Sequence, residues 1–549
     1  MKKSIPNLLS IVLMLIFNFI SINTNGQVVS NIDNDSLIED TRQLVKILEE
    51  SHPDPYLNFG GKIAFNRDFQ NILLSIPEKG MNSSEYYNLL MPFVAKVADM
   101  HTGLINPVKP TQNGPGIPLQ FKIVEEDLVV TRVPSKKYKD LLGSRLISVS
   151  GIGIKELMVR QTQLRGVENK YGELLFLSIS LRTANGIKNL IPEWNSSEKF
   201  SVELKMANGK IKENELFMTE SDPEASITFP SKQLRPSTEK SDVAYNYIDS
   251  KKETALLVVA SMERYREASE AWFSDGMDGA KEYTEVAYKH FNSTEPPEDE
   301  DELLKGIPSA TETFISLISD IKKYNTKNLI VDLRGNTGGN SLMKEMLIYF
   351  LFGKEGLISM NQGFQIIKYS ELYFNNYASD SLQLINKQQK IMLTKDDYNF
   401  GRERKFRENE PDLKLLDEYL MSTPTFWDVY KTKQYDLPSF QLENIIVLCE
   451  PITTSSGFNL LTALNEKGAK ILGTASAQPG NNFGDVLFFQ LRNSKLAGYV
   501  SFKQNVTFPD DSVKGKCLMP DYPLTYLKFK SLGFNADAEI EYAVEVLKE

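Results

Sequence analysis

The stretch NLIVDLRGNTGG, running from Asn328 to Gly339, joins a short apolar run to a glycine-rich turn. Asn328–Leu333 has the continuous apolar texture of a strand buried on both faces. The glycines that follow free the backbone to turn sharply and to present N–H groups at the start of a helix expected over Ser341–Phe352. That geometry suits an anion, whether a phosphate or a transient oxyanion. The stretch is not a GxGxxG fingerprint and lacks the GK[ST] of a P-loop, so it does not by itself imply a nucleotide. A tight structural turn uses the same residues.

The pattern recurs downstream. Asn444–Cys449 (NIIVLC) reads as a second buried strand, Thr453–Gly457 (TTSSG) as a turn, and Phe458–Asn465 as a helix. A serine at such a turn projects its hydroxyl clear of the sheet, and the helix dipole favours negative charge beside it. Helix capping by Ser or Thr is the structural alternative. Upstream, Thr254–Val259 is a further apolar strand and Thr311–Tyr324 an amphipathic helix. Downstream, Lys470–Leu472 reads as a strand, 486–504 as paired strands and Asp537–Leu547 as a closing helix. Alternating buried strands and helices make this half of the chain α/β. Residues 264–310 are charged and read as a solvated insertion, and 360–440 as a long mixed one, with Lys395–Asp412 a candidate lid.

The N-terminal half has a different texture. Ser36–Leu48 has a helical apolar period, and a helix capped by Ser83 or Ser84 is expected to run to about Ala98. From Pro118 short β-rich pieces follow: Gln120–Val124, Leu128–Val133 and Arg145–Ser150. Phe200–Lys205 and Lys210–Phe217 flank an Asn-Gly turn and read as a hairpin. At the very start, Lys2 and Lys3 precede a 15-residue apolar run, Leu8–Ile22, and then small polar residues up to Gly26. This is the layout of a secretory signal, shorter than the roughly 20 residues of a spanning helix. Cleavage near Gly26–Gln27, export to the periplasm or beyond, and no membrane span in the mature protein are expected.

Composition narrows the chemistry. The 549 residues carry a net charge of −10 with no basic stripe, which argues against nucleic acid. Cys449 and Cys517 are the only cysteines and are not in a CxxC spacing, so a zinc ribbon or thioredoxin-like site is excluded. Only three histidines exist, His52, His101 and His290, which makes a His-rich metal site unlikely to be built. A serine nucleophile needs a base with a pKa near the working pH. His52, in Ser-His-Pro-Asp-Pro, reads as a helix cap or local packing residue, and His290 as solvated. His101, in Asp99-Met-His-Thr, is the best base by elimination.

Taken in order, these segments resemble peptidase family S41, the C-terminal-processing or tricorn-core-like serine peptidases. Asp99–Thr102 resembles the family's D-G-H-T, Asp332–Gly339 its D-x-R-x-N-x-G-G, and Thr454–Gly457 its nucleophile segment. Gly473-Thr474 and Met519–Tyr522 resemble later motifs, and Leu141–Leu157 is similar to the family's PDZ-like module. The resemblance implies a ClpP/crotonase-like ββα core, a helical N-terminal domain and a PDZ-like β-rich module. The division expected is 1–26 signal, 27–110 helical domain with His101, 111–220 PDZ-like module and 221–549 peptidase core.

The resemblance further implies Ser455 as nucleophile, with Ser456 as the alternative because Phe458 stands where a glutamate is usual. The lysine-type branch carries its base in F-G-K-G. Here Phe483-Gly-Asp485-Val leaves no lysine, so the histidine-type branch and His101 are implied. Backbone N–H groups of Gly338 or Gly339 and of Ser456 would hold the oxyanion. The acid that orients His101 is open among Asp99, Asp485, Asp510 and Asp511. No cofactor and no metal are implied. The expected partner is a peptide or protein substrate, and a homo-oligomer is compatible with the motifs. The competing functions are a catalytically impaired relative that binds peptide or another ligand, and a hydrolase of other esters.

Overall fold

The structure, a computed structural model, describes residues 31–107, 116–194, 199–217, 226–277, 279–359, 363–377, 380–389, 391–394, 397–400 and 410–549. The signal segment 1–26 and most of the candidate lid lie outside these residues. The described residues fall into two compact units. One takes the chain up to 228 together with 363–403 and 479–517, and the other takes 229–362, 404–478 and 518–549. The compact units are therefore interleaved along the chain, whereas the sequence division at 110 and 220 followed chain order.

The second unit is built on a six-stranded sheet. Its order is Tyr522–Pro523, Lys470–Gly473, Asn444–Cys449, Asn328–Asp332, Thr254–Val259 and Val243–Tyr247. All neighbours are parallel except the last pair. Alternate residues of the central strands point to opposite faces. Leu256, Val258, Ile330, Ile446 and Leu448 cluster on one face with Ile540 and Ala543 of the helix Ala538–Val546. Each such side chain contributes about 1.5–3 kcal/mol on burial. The helices Ala310–Tyr324, Leu342–Ile358 and Ser456–Glu466 follow strands as crossovers of an α/β unit.

The charged stretch 264–310 is not a solvated insertion. It forms the helices Arg266–Ser274, Ala280–Phe291 and Glu300–Lys305, with Ala268, Ala271, Leu303 and Ile307 buried. Glu267 is buried because it caps the next helix: its carboxylate accepts from Ser309 Oγ at 2.6 Å and from the N–H groups of Ala310 and Thr311 at 3.1 and 3.0 Å. His290 ends its helix exposed.

The first unit holds two sheets. A seven-stranded antiparallel one contains Gln120–Val124, Asp127–Val133 and Arg145–Val149, and ends on the hairpin Lys199–Lys205 with Ile211–Phe217. A five-stranded antiparallel one contains Gly103–Leu104, Ala497–Val506, Phe364–Lys368, Tyr398–Asn399 and Asn481–Gln490. The helices Asn34–Ser51, Lys62–Ser75 and Ser83–Ala95 share a core with the second sheet through Leu44, Leu90, Leu487 and Val500. The last of these helices is capped by Asn82, not by Ser83 or Ser84. Asn82 Oδ1 accepts from Glu85 N–H, and Glu85 returns a bond to the Asn82 N–H, a capping box. It ends at Ala95, short of Ala98, whose positive φ turns the chain toward Asp99. Among the described residues no helix is long and apolar enough to cross a membrane, and both cysteines are free.

Candidate active site

In the second unit the two glycine- and serine-containing turns meet above the sheet. The strand Asn444–Cys449 leads through Thr453 and Thr454 to Ser455, which is exposed and precedes the helix Ser456–Glu466. Ser455 has φ 53° and ψ −131°, a strained conformation for a residue with a side chain. The strain is held from both sides. Thr453 Oγ1 donates to Leu333 O at 2.9 Å, the Thr454 N–H to Asn336 O at 3.2 Å, and the Ser455 N–H to Gln478 Oε1 at 2.5 Å. Gln478 is fixed in turn by Ser476, whose hydroxyl donates to Thr453 O at 2.6 Å.

Gly338, at φ +99°, leaves the space beside Ser455. A Cβ there would lie 2.5 Å from Ser455 Cβ and 2.8 Å from the Ser456 nitrogen. Asn336, fully buried, accepts the Gly338 N–H on Oδ1 at 2.8 Å and donates to Val259 O at 2.8 Å. The Gly338 N–H, offered by the sequence as an oxyanion donor, is thus already engaged. Those of Gly339 and Ser456 have no hydrogen-bond partner among the described residues. The Ser456 hydroxyl, the alternative nucleophile, donates to Gly339 O at 2.7 Å and lies 2.8 Å from Ser341 Oγ. Phe458 lies in the core, 2% exposed.

The acidic start of the glycine turn is structural. Asp332 is buried between the guanidinium of Arg334, at 2.9 and 2.8 Å, and that of Arg235, at 3.3 Å. Burial alone would raise its pKa, and the two arginines outweigh that, bringing it to about 2. Arg334 also binds Glu539 at 2.8 Å, which pins the closing helix to the turn.

The first unit holds a histidine cluster. Asp99 is fully buried and accepts the His101 N–H on Oδ1 at 2.8 Å. Its Oδ2 accepts from Thr102 Oγ1 and Ser501 Oγ, both at 2.6 Å. Gly103–Leu104 pairs with Ala497–Val506, which brings Ser501 to this carboxylate. His101 Nδ1 faces Asp99 Oδ1 at 3.7 Å, and its side chain is 31% exposed. His52 Nε2 faces Asp99 Oδ2 at 3.4 Å. Burial would raise the Asp99 pKa, but the two imidazoles hold it well below the usual carboxylate range. Burial pulls His101 down, and the Asp99 carboxylate, helped by Glu168 and Asp485, more than reverses this, so His101 lies above its ordinary value.

The sequence reading missed two members of this cluster. His52 does cap its helix, through its N–H to Leu48 O at 3.0 Å, but its ring reaches Asp99 and lies 4.4 Å from the Phe483 ring. Glu168 accepts the Phe483 N–H at 3.1 Å while its other oxygen is buried and unpartnered. Burial, with added charge from Asp99, pushes its carboxyl up to about 8. Of the remaining acids named from sequence, Asp510 is exposed and the other two have partners of their own. Asp485 pairs with Lys503 at 2.5 Å, and Asp511 caps Ser512–Lys516.

Residues 285–497 match the model of peptidase family S41. That match agrees with the family resemblance read from the sequence motifs. The match supports the serine-type peptidase class expected from the sequence. A search of curated protein sequences finds no significant match. Among solved structures, mature CPAF complexed with lactacystin aligns to this chain with a TM-score of 0.54 at 13% identity, covering 93% of this chain and 97% of that one. Mature CPAF alone aligns with a TM-score of 0.53 at 12% identity, covering 91% and 95%. At these identities the likeness is one of fold, a mixed α/β multidomain architecture.

Proposed function

We propose that the chain is an exported serine endopeptidase that hydrolyses peptide bonds through an acyl-enzyme on Ser455, with His101 as general base. The observation that carries this reading is the elbow at Ser455: an exposed hydroxyl on a strained turn at a helix start, with Gly338 leaving room beside it. Ser455 Oγ attacks the scissile carbonyl and His101 takes its proton. The tetrahedral species collapses, the C–N bond breaks, and His101 protonates the leaving amine. Water then cleaves the ester with the same base.

The N–H groups of Gly339 and Ser456 are the proposed oxyanion donors, each worth about 3–4 kcal/mol in the transition state. Of the acids left open by the sequence, Asp99 is the proposed orienting group, because its Oδ1 faces His101 Nδ1. Residues 111–220 are read as a PDZ-like module and the parallel sheet as a ClpP/crotonase-like core, a reading supported by the strand orders among the described residues. Export rests on the leader-like residues 1–26. The test is labelling by a fluorophosphonate probe together with cleavage of a denatured protein substrate. A wild-type enzyme that neither reacts with the probe nor cleaves would overturn the reading in favour of a ligand-binding relative.

A further inference from the structure

We infer that His52 is a positioning residue for the same site: as a neutral imidazole it donates from Nε2 toward Asp99 and so sets how strongly Asp99 acts on His101. The inference rests on the proposed role of His101 as base. His52 is fully buried, and its Nε2 has no hydrogen-bond partner among the described residues other than the carboxylate it faces, 3.4 Å away. The other ring nitrogen decides the tautomer. His52 Nδ1 accepts the N–H of Asp54 at 3.1 Å, so it carries no proton. In a neutral ring the proton must then sit on Nε2, aimed at Asp99 Oδ2.

Asp99 Oδ1 accepts the His101 backbone N–H, its Oδ2 accepts the Thr102 and Ser501 hydroxyls, and the proton inferred on His52 Nε2 faces Oδ2 from 3.4 Å. This fixes the carboxylate as an ion with Oδ1 toward His101 Nδ1. Facing that carboxylate from 3.7 Å, His101 is favoured in the tautomer with its proton on Nδ1, which leaves its Nε2 lone pair available to a hydroxyl. Each donor on Asp99 also draws charge away from the oxygens, which tempers the rise in His101 basicity. The helix ending at Ser51 brings His52 in, and Phe483 covers its ring. The other charged groups facing His101 are Glu168, from the turn before Lys170–Ser180, and Asp485, itself paired to Lys503.

Only three histidines exist, so histidine-selective 15N labelling reads each ring separately. In the wild type, His52 is expected as the neutral Nε2–H tautomer at pH 7; an Nδ1–H tautomer or a charged ring overturns the inference without any variant. In His52→Phe the His101 titration is expected to move up by about half to one unit, since Asp99 has lost a donor. The acid limb of kcat/KM should move with it while KM stays unchanged. His52→Gln, whose amide replaces the Nε2 donor, should restore the wild-type value. An unmoved His101 titration in a folded His52→Phe, or a His52→Gln displaced as far as His52→Phe, overturns the inference. A His101→Gln enzyme that still hydrolyses would instead remove the base assignment, and the ring titrations would stand apart from that result.

Discussion

The Ser456 hydroxyl donates to the Gly339 carbonyl at 2.7 Å, tying the nucleophile turn to the glycine turn and leaving Ser455 as the exposed hydroxyl of the pair. The two adjacent serines therefore have separable roles. Ser455→Ala should abolish fluorophosphonate labelling and hydrolysis with the melting temperature nearly unchanged. Ser456→Ala keeps its backbone N–H and loses a buried hydrogen bond, which costs about 1 kcal/mol of stability. Labelling that survives in Ser455→Ala and disappears in Ser456→Ala would place the nucleophile one residue later.

Gly338 supplies the space that Ser455 occupies. Alanine there must adopt φ +99° and bring its Cβ within 2.5 Å of Ser455 Cβ. The backbone strain alone costs about 1–3 kcal/mol. Gly338→Ala should lower the melting temperature and reduce kcat by at least about 10-fold, because a shift of the elbow misplaces the attacking oxygen. Wild-type kcat with a lowered melting temperature would show that the turn tolerates the shift.

Glu168 gives the enzyme an acid that titrates near pH 8. In the native state the carboxyl keeps its proton up to that pH, whereas in the unfolded chain it ionises near 4.5. The native state thus binds the extra proton between these values, so this group lowers stability as pH rises from about 4.5 to about 8. Glu168→Gln should raise the melting temperature, and more at pH 8 than at pH 5. Equal effects at the two pH values would mean that the native carboxyl is already ionised.

Much of the parallel sheet was legible because its strands are buried on both faces and read as unbroken apolar runs. Thr254–Val259 and Asn444–Cys449 begin and end where the sequence puts them. The Thr453–Gly457 turn was legible for the same reason, since it interrupts such a run. The histidine cluster was not. His52 and Asp99 are separated by 47 positions, and no periodicity links a helix C-cap to a loop acid. Glu168 belongs to the β-rich segment and Ser501 to a strand near the C-terminus, so the cluster exists only once 479–517 joins the first unit. Local texture carries no signal for that. The acidic stretch 264–310 misled for a related reason: Glu267 looks solvated by composition but is buried as a helix cap. Among the charges of that region, a single signal pointed inward, the Ser309–Glu312 capping pattern at the start of the helix it serves.

His101 sets the pH dependence expected of catalysis. A general base must be unprotonated in the free enzyme, so kcat/KM should rise with pH through one ionisation. That ionisation should lie above the ordinary histidine value of 6.5, because the Asp99 carboxylate, with a smaller part from Asp485, outweighs the effect of burial. Asp99→Asn removes the largest of these charges and should move the ionisation down, toward or below 6.5. It should also cost activity, since the ring loses the group that selects its tautomer. The same variant has a stability signature of opposite pH sense to Glu168. Asp99 is depressed in the native state, so its contribution is present above about pH 4 and is lost as the pH falls below that. His101→Gln should lose about 10²–10⁴-fold in kcat/KM. Lys514→Ala and Lys516→Ala should match wild type, both side chains being solvated on the short helix Ser512–Lys516 or at its end. The profile decides between the two modes of activation: near-normal activity in His101→Gln, or a wild-type acid limb in Asp99→Asn, would mean that another group takes the proton from Ser455.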